Sequence, residues 1–501
     1  MGGSDSFAGS KLPSDSLDRN MTYLKDLFTG DETLIFRTLE NRRERKTDRF
    51  CLVYEDGMVD NRLLNQDVIR PLLEFRFGTD GNAGLIDVVA SEVTLSDSVE
   101  KTEDVEKIIQ GIVYGDTVLL AEGCARALIL NTKGWKTRSI QEPETERVLR
   151  GPREGFNESL LMNLSMLRRR LRTQDLKVKF LTFGRRTKTR ACICYLNSVV
   201  NRAVLRELEN RLEKIDIDGM LDTNYICELI RDAPYSSVKT IGATERPDVA
   251  AAKLLEGRVA LVLDGTPMVL TVPHLFVEHF QSDEDYYLNY VFATVGRLLR
   301  ILAFVITLCL PAGYVAMTTF HQEMLPTPLL MSIFVARQGV PFPTALETLL
   351  MLVVFEMLRE SGARMPGIMG QTLSIVGALV IGQAAVDAKI VSAPIIIIVS
   401  LTGICGLMVP RIKGYVIVHR FFLLAFSCVL GMYGLLLGII VLLAGLFSMT
   451  SFGIPVMSNV YSKNLQDEKD LYVRAPWWMM LKRPNFLSRN RTRQSTAGKS
   501  K

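Results

Sequence analysis

Two apolar, β-branched stretches in the first half of the chain each have a counterpart further along. Arg49–Leu64 aligns without gaps to Arg190–Leu205, and Gly115–Leu130 aligns in the same way to Gly257–Val272. The two offsets are 141 and 142 residues, and a shared spacing indicates a duplicated unit. Each copy predicts a strand, a helix and, later, a hairpin.

The hairpin turns of the two copies carry Glu122-Gly123 and Asp264-Gly265. Glycine suits such turns because it accepts a positive φ. Between the copies lies a charged stretch that is interrupted by Pro143, Gly151 and Pro152 and is typical of a linker. Two lobes on a linker are compatible with a ligand cleft between them or with a rigid assembly scaffold.

The second half contains long runs without any charged residue. The runs have 20, 17, 21 and 27 residues: Ile301–Phe320, Gly370–Val386, Ile390–Pro410 and Phe421–Phe447. About 20 apolar residues cross the roughly 30 Å hydrocarbon core of a bilayer as a helix, so four transmembrane helices are predicted. Gly431, Gly434 and Gly438 in the last run form a small-residue face that allows close helix packing.

These patterns predict a multidomain chain, in which a duplicated α/β soluble N-terminal region is followed by an α-helical transmembrane domain. The predicted order is a disordered N-terminus at 1–20, α/β lobe 1 at 21–136, the linker at 137–159, α/β lobe 2 at 160–290, the transmembrane helical domain at 297–450 and a basic C-terminal tail at 451–501.

The stretch between the first two runs differs from an ordinary span. Leu325–Ala336 is apolar but only 12 residues long, whereas Val340–Leu358 has a helical pattern and contains two glutamates. Prolines 326, 328, 341 and 343 leave backbone groups without helical partners. Such groups must be satisfied inside protein, in a wet cavity or at the interface, so a re-entrant or amphipathic placement is predicted.

Ionisable residues in apolar segments are costly and are therefore candidates for function. Glu356 has Arg359 one turn away, which favours a structural ion pair, whereas Glu347 has no basic residue one turn away. Gln383 and Asp387 share a helix face, where snorkelling to the interface and a place in an ion path are equally compatible alternatives. The ion-pathway candidates are Glu347, Glu356, Gln383 and Asp387, with Arg359 as a possible ion-pair partner.

Basic residues give conflicting predictions of orientation. Arg297, Arg300 and the basic tail place both ends in the cytoplasm, which requires an even number of crossings. Arg411, Lys413 and Arg420 also favour the cytoplasm. With four spans this last basic loop breaks the rule, and with five spans the tail does. Residues 1–13 contain no apolar signal segment, so the N-terminal region is expected to stay in the cytoplasm.

Composition excludes several classes of function. A net charge of +5, with basic runs placed among acidic residues, does not favour nucleic-acid binding. The eight cysteines are scattered, and Cys192 and Cys194 fit core packing better than metal binding. His274, Glu278 and His279 depart from the spacing of a zinc motif and are interpreted as a surface segment. No common enzymatic motif occurs, so neither enzyme activity nor a metal or other cofactor is expected.

Several longer stretches resemble the A subunit of the spore germinant receptors of endospore-forming bacteria. They are TRSIQEPETERVLRGPREGFNESLLMN at 137–163, TERPDVAAAKLLEGRVALVLDGTP at 244–267 and PFPTALETLLMLVVFEMLRESGARMPGIMGQTLSIVGALVIGQAAV at 341–386. TSFGIP at 450–455 and RAPWW at 474–478 favour a nutrient receptor over the related sporulation-operon membrane protein.

The resemblance implies a multi-pass receptor subunit in the spore inner membrane, with its N-terminal domain on the cytoplasmic, core side. It also implies a transporter-like B subunit and a lipoprotein C subunit as partners, and ion release when nutrients bind. The family has no catalytic motif to transfer to this chain.

Three hypotheses of function follow. In the first, the chain forms a homo-oligomeric cation channel in which Val340–Leu358 lines the path and Glu347 faces water. The alternative for Glu347 is burial in protein with a pairing partner from another helix. In the second it is a secondary transporter, although transporters have repeats in the membrane half and the repeat here is in the soluble half. In the third it is a scaffold that holds other subunits in the membrane.

Overall fold

The structure is a computed structural model that describes residues 14–42, 47–75, 85–94, 99–134, 150–364 and 380–461. Further described positions are Leu12, Pro143, Glu146, Val148, Gly377, 470–484, 486–488, Asn490, Thr492 and Arg493. The chain forms two compact units. The first unit comprises Met1–Arg231, Ile241–Pro273 and Leu481–Gly498, and the second comprises Asp232–Thr240, His274–Met480 and Lys499–Lys501.

The first unit contains two five-stranded antiparallel sheets of identical topology. Their strand orders are β1-β2-β4-β5-β3 and β6-β7-β9-β10-β8. The strands are β1 Leu34–Arg42, β2 Thr47–Glu55, β3 Val99–Thr102, β4 Thr117–Ala121, β5 Ala127–Leu130, β6 Leu176–Phe183, β7 Thr189–Leu196, β8 Gly242–Thr244, β9 Val259–Leu263 and β10 Val269–Val272.

The register of the two sheets confirms the predicted duplication. Cys51 on β2 pairs with Leu120 on β4, and Cys192 on β7 pairs with Val262 on β9. Gly123 and Gly265 occupy the turns of the corresponding hairpins with φ values of +79° and +88°. The sequence offset therefore reproduces the pairing of individual residues across each sheet.

Helices cover both faces of the first sheet. Phe50 and Leu52 on β2 pack into one apolar cluster, while Cys51 and Val53 between them pack into another. Because successive side chains of a strand point to opposite faces, the uninterrupted apolar run at 50–53 indicates two covered faces. Cys192 and Cys194, two residues apart on β7, lie in one apolar core, as predicted.

The helices of the first unit begin earlier than predicted. The stretch 1–20 was expected to be disordered, but a helix begins at Leu17 because Leu17 and Leu24 are buried against the first sheet. Residues 1–11 and 13 lie outside the described residues. The helical segments are Leu17–Leu27, Asn61–Leu63, Leu64–Ile69, Arg70–Glu74, Leu85–Val88, Val89–Val93, Val105–Tyr114, Leu160–Arg170, Arg202–Glu213, Thr223–Ile230 and Pro247–Leu255.

The linker and the tail are only partly described. Linker residues 137–142, 144, 145, 147 and 149 lie outside the described residues, and 150–159 contain neither helix nor strand. Residues 274–290, which the sequence assigns to lobe 2, belong to the second unit. The predicted tail divides between the two units, with 451–480 in the second and 481–498 in the first.

The second unit is helical. Its α-helices are Tyr290–Thr319, Thr327–Ala336, Thr344–Arg364, 380–387, Ala393–Leu407, Lys413–Ser448 and Ser458–Tyr461. Its 3₁₀ turns are Phe276–His279, Asp283–Tyr286, Gln322–Met324, Pro410–Ile412 and Trp477–Met479, and its short strands are β11 Thr450–Ser451 and β12 Ile454–Pro455. Residues 370–376, 378 and 379 of the predicted second span lie outside the described residues.

Among the residues that the structure describes, two helices are long and apolar enough to cross a membrane, judged by length and composition. They are Tyr290–Thr319 with 30 residues and Pro410–Ser448 with 39 residues. The second is not one straight helix, because Gly431 has φ 61° and ψ −134°. The predicted single span Phe421–Phe447 is therefore wrong, and the chain forms a helical hairpin with arms at 413–430 and 432–448.

Close contacts between the hairpin arms depend on glycine, as the small-residue pattern predicts. A Cβ atom at Gly434 would lie 2.1 Å from the carbonyl oxygen of Phe426, and one at Gly438 would lie 2.6 Å from Leu423 Cδ2. At the turn, a Cβ at Gly431 would lie 2.7 Å from Cβ of Phe320. The turn therefore lies beside the C-terminal end of the Tyr290–Thr319 helix, which we call the Thr319 end of the second unit.

At the opposite end of the second unit, which we call the Tyr290 end, both ends of the hairpin contact the segment that precedes Tyr290. Arg411, before the hairpin, donates to Asp283 at 2.9 Å, and Ser451, after it, accepts from the His274 N–H at 3.1 Å. Both ends of the hairpin therefore meet the chain just before Tyr290. In contrast, Tyr314 packs with Val391 at the Thr319 end, so the Ala393–Leu407 helix runs antiparallel to Tyr290–Thr319.

Candidate functional site: charged groups of the helical unit

Glu347 is fully buried in the first turn of the Thr344–Arg364 helix, with 0% of its surface exposed. Its Oε1 accepts from Arg337 Nη2 at 3.2 Å, and its Oε2 accepts from the Ser392 N–H at 3.0 Å. Within the single chain Glu347 therefore does not face water, and it has a basic partner from outside its own helix, which was the alternative to a water-facing position. Arg337 precedes Glu347 by ten residues, which is more than one helical turn. The chain bends at the proline-rich connection 341–343, and the guanidinium of Arg337 therefore reaches the Glu347 carboxylate.

Glu356 connects two helices through two guanidinium groups. It pairs with Arg359 on its own helix, which confirms the predicted ion pair, and Arg420 on the first hairpin arm donates to its Oε1 at 2.5 Å. Arg420 is buried, with 1% of its surface exposed. One carboxylate between two arginines leaves this cluster with an excess of positive charge, so Glu356 is a poor ligand for a passing cation.

Gln383 and Asp387 differ from the two glutamates because both lie on an exposed face. Gln383 Nε2 donates to Asp387 Oδ1 at 3.1 Å along the helix 380–387. The turn that follows leads to Ser392, so this pair lies at the Thr319 end. Of the four predicted pathway residues, these two are therefore accessible in the single chain.

A charged cluster that the sequence analysis missed lies at the Tyr290 end. Arg297 is fully buried, and its guanidinium donates to Asp285 at 3.2 Å and to the Asp470 carboxylate at 3.0 Å. Arg300 also donates to Asp285. The available signal was the acidic run at 283–285 close to two arginines on one helix face. In the sequence these two arginines were interpreted only as indicators of membrane orientation, so the contacts of Arg297 with residues 470–471 were not predicted.

Glu278 and His279 are buried and His274 beside them is half-buried, so the interpretation of the three as a surface segment is wrong. His274 Nδ1 lies 3.2 Å from Glu278 Oε2, and the two histidine rings are 4.9 Å apart. The 3₁₀ turn Phe276–His279 is buried because Phe276 packs against Phe304 and Tyr415 in an apolar cluster. Burial holds the pKa of His279 well below its usual range, and nearby His274 acts in the same direction. Among the described residues no group of three ligands could hold a metal.

The contact between the two lobes, within the first unit, is also charged and buried. Arg168, in the first helix of lobe 2, lies 2.5 Å from Asp31 Oδ2 and 2.8 Å from Glu55 Oε1, both in lobe 1. Arg168 also donates to Thr33 Oγ1 at 2.7 Å. Because side chains fill this part of the lobe contact, it favours rigid assembly over a ligand cleft.

These arrangements neutralise buried charges and connect helices. The fold and the charged clusters together define a protein with a duplicated, helix-covered β region joined to a bundle of apolar helices. The model of the Bacillus/Clostridium GerA spore germination protein family matches residues 22–486. The chain belongs to this family, which confirms the resemblance found in the sequence.

Individual relatives match most of the chain. Spore germination protein KA of Bacillus subtilis (strain 168) is 42% identical over 480 residues, which cover 95% of this chain and 88% of the relative. Spore germination protein GerLA of Bacillus cereus is 36% identical over 451 residues, covering 89% of this chain and 90% of the relative.

Among solved structures, the crystal structure of the N-terminal domain of the A subunit of the Bacillus megaterium spore germinant receptor GerK3 is similar to this chain. The match has 29% sequence identity and a TM-score of 0.43, and it covers 53% of this chain and 98% of that domain.

Proposed function

We propose that this chain is the membrane-embedded A subunit of a nutrient-germinant receptor in the spore inner membrane. It acts without catalysis, as a homo-oligomer that forms a ligand-gated cation channel and releases ions at the start of germination. It works beside a transporter-like B subunit and a lipoprotein C subunit, and its N-terminal region faces the spore core. The observation that carries this proposal is the family match over residues 22–486.

The helix directions support an integral membrane domain with an even number of crossings. The proposed crossings are Tyr290–Thr319, Thr344–Arg364, a helix that includes 380–387, Ala393–Leu407 and the two hairpin arms at 413–430 and 432–448. With six crossings the chain enters and leaves at the Tyr290 end. Arg297, Arg300, Arg411, Lys413 and Arg420 then all belong to the cytoplasmic half, as the positive-inside rule requires.

The accessible polar pair favours Gln383 and Asp387 as the ion-path residues. Glu347 and Glu356 already pair with arginines inside one chain, so they contribute little field to a pore. An exposed carboxylate repeated around an oligomer axis would attract cations and repel anions. Asp387 is the charged member of the pair, and it therefore sets the expected selectivity.

A second candidate function, a non-conducting scaffold, is supported by the pairing of those same glutamates. A helix bundle whose carboxylates are neutralised internally can hold partner subunits without a water path. A transporter remains the weaker alternative because the duplication lies in the first unit, not among the helices.

Current through planar bilayers that contain the purified full chain separates these functions. We expect cation-selective current, which Asp387→Asn reduces. The matched control is Glu323→Gln, an exposed carboxylate at the same end but outside the crossing helices. If the parent chain gives no current under any reconstitution condition, the channel proposal fails and the scaffold function is favoured. If the parent and Asp387→Asn chains give equal currents, Asp387 does not line the ion path.

A further inference from the structure

Large aromatic side chains are exposed together at the Tyr290 end of the second unit. Trp477 and Trp478 lie in a 3₁₀ turn, and 64% of the Trp478 surface is exposed. Trp478 packs edge-on against Tyr290 with ring centres 5.8 Å apart, and Trp477 lies 6.0 Å from Tyr286. We call Tyr286, Tyr290, Trp477 and Trp478 the aromatic cluster.

The aromatic cluster is fixed to the first long helix by charged groups rather than by chain connectivity. Arg297 donates to the Asp470 carbonyl at 2.8 Å and to the Leu471 carbonyl at 3.2 Å. The Arg474 N–H donates to Thr294 Oγ1 at 3.2 Å, and its guanidinium lies 5.5 Å from the Trp477 ring. Residues 470–480 are therefore positioned against the start of the Tyr290–Thr319 helix.

The outer face of that helix is apolar from its first turn. Val291, Val295, Leu298 and Leu302 are exposed, whereas the two arginines nearby point inward to Asp285 and Asp470. The apolar face continues without a break into the uncharged run that begins at Ile301. The helix has 30 residues and is therefore about 45 Å long, which matches the roughly 40–45 Å of a bilayer with its headgroups.

We propose that residues 470–480 form an interfacial anchor, in which Trp477 and Trp478 lie among the phospholipid headgroups of the bilayer that Tyr290–Thr319 crosses. Tryptophan and tyrosine prefer this level because their rings are apolar and their polar edges find water or headgroups. With Tyr290 at the headgroup level, the inward-facing arginines need no contact with lipid. The inference rests on the membrane placement proposed above.

Tryptophan fluorescence tests the anchor directly, because the chain contains only three tryptophans. The full chain carrying Trp135→Phe reports on Trp477 and Trp478 alone. In phospholipid vesicles we expect a blue-shifted emission, and a greater loss of fluorescence with a spin label near the headgroup than with one near the end of the acyl chain. Iodide in the buffer should quench only weakly.

Two reporters in a chain with all three tryptophans replaced by phenylalanine serve as controls. Val305→Trp lies on the exposed face of the helix and should be quenched best by the spin label near the end of the acyl chain. Tyr235→Trp replaces a fully exposed residue and should be quenched by iodide alone. If Val305→Trp escapes both lipid labels, the membrane placement fails. A different result contradicts the anchor but not the membrane placement: the lipid labels quench Val305→Trp but do not quench Trp477 and Trp478. In that case the two tryptophans either lie in water, where iodide quenches them, or are covered by protein, where no quencher reaches them.

Discussion

Glu55 is a buried carboxylate with incomplete charge compensation. It and Asp31 face the single guanidinium of Arg168 in the lobe contact. Burial raises the pKa of Glu55 to about 8 from an ordinary value of 4.5, and Arg168 only partly opposes this shift. Because the folded-state pKa is the higher one, folding takes up a proton, and stability falls as the pH rises from about 4.5 to about 8.

Glu55→Gln should remove this pH dependence, because glutamine keeps the shape of the side chain but does not titrate. We expect the free energy of unfolding of the variant, relative to the parent, to rise through that pH window by at most about 1.4 kcal/mol per pH unit. Thermal unfolding of the purified full chain, followed by circular dichroism, measures it. Glu122→Gln, at the surface pair with Arg49, is the control, and a difference that does not vary with pH would contradict the assignment.

Glu347 and Arg337 should behave as a structural pair. Glu347→Gln leaves the guanidinium of Arg337 without its carboxylate, and removing one member of a buried pair costs about 3–5 kcal/mol. We expect the single variants to accumulate poorly in membranes and the double variant Arg337→Gln/Glu347→Gln to recover much of the loss. Immunoblots of membrane fractions measure this. Additive losses in the double variant would show that the two side chains do not depend on each other.

Glu347 and Glu356 show which contacts can be predicted from sequence at the residue scale. Arg359 was found as a partner because the i, i+3 spacing fixes its position on the helix. Arg337 and Arg420 were not found, since their approach depends on a proline-rich turn and on packing between helices. Local spacing predicts contacts within one helix, but it carries little information on which helices become neighbours.

At the scale of elements, the duplicated sheets could be predicted and the hairpin could not. The repeated unit occurs twice in the sequence, with apolar strands and glycine-containing turns at matching positions. The run Phe421–Phe447 has the composition of one long span, and nothing in its apolar pattern marks where it folds back. Three glycines signalled close packing, but the reversal depends on the backbone angles of Gly431 alone.

Gly431→Ala should therefore destabilise the hairpin. At φ 61° and ψ −134° an alanine is strained, and its Cβ would also meet Phe320. Strain of this kind costs on the order of 1–3 kcal/mol, so we expect a lower melting temperature in detergent. Gly445→Ala, in the second arm with no atom within 4 Å of the added methyl, is the matched control. Equal melting temperatures for the two variants would exclude a glycine-dependent turn.

At the scale of the whole molecule, the six crossings proposed above would remove the conflict between the basic clusters. Treating Phe421–Phe447 as one span forced either the loop at 411–420 or the tail to break the positive-inside rule. Two arms in its place return the chain to the Tyr290 end, where Ser451 and Asp470 contact the segment before Tyr290. With the six crossings proposed above, both basic clusters would lie on the same side, as the positive-inside rule requires.

Labelling of introduced cysteines tests this topology. Gln322, exposed after the first long helix, lies at the Thr319 end, and Tyr472, exposed after the hairpin, lies at the Tyr290 end. We expect a membrane-impermeant maleimide to modify Gln322→Cys in intact cells and Tyr472→Cys only after permeabilisation, because the basic clusters keep the Tyr290 end inside. The parent chain, with its eight native cysteines, gives the baseline. Modification of both positions in intact cells would require an odd number of crossings and would restore the five-span alternative.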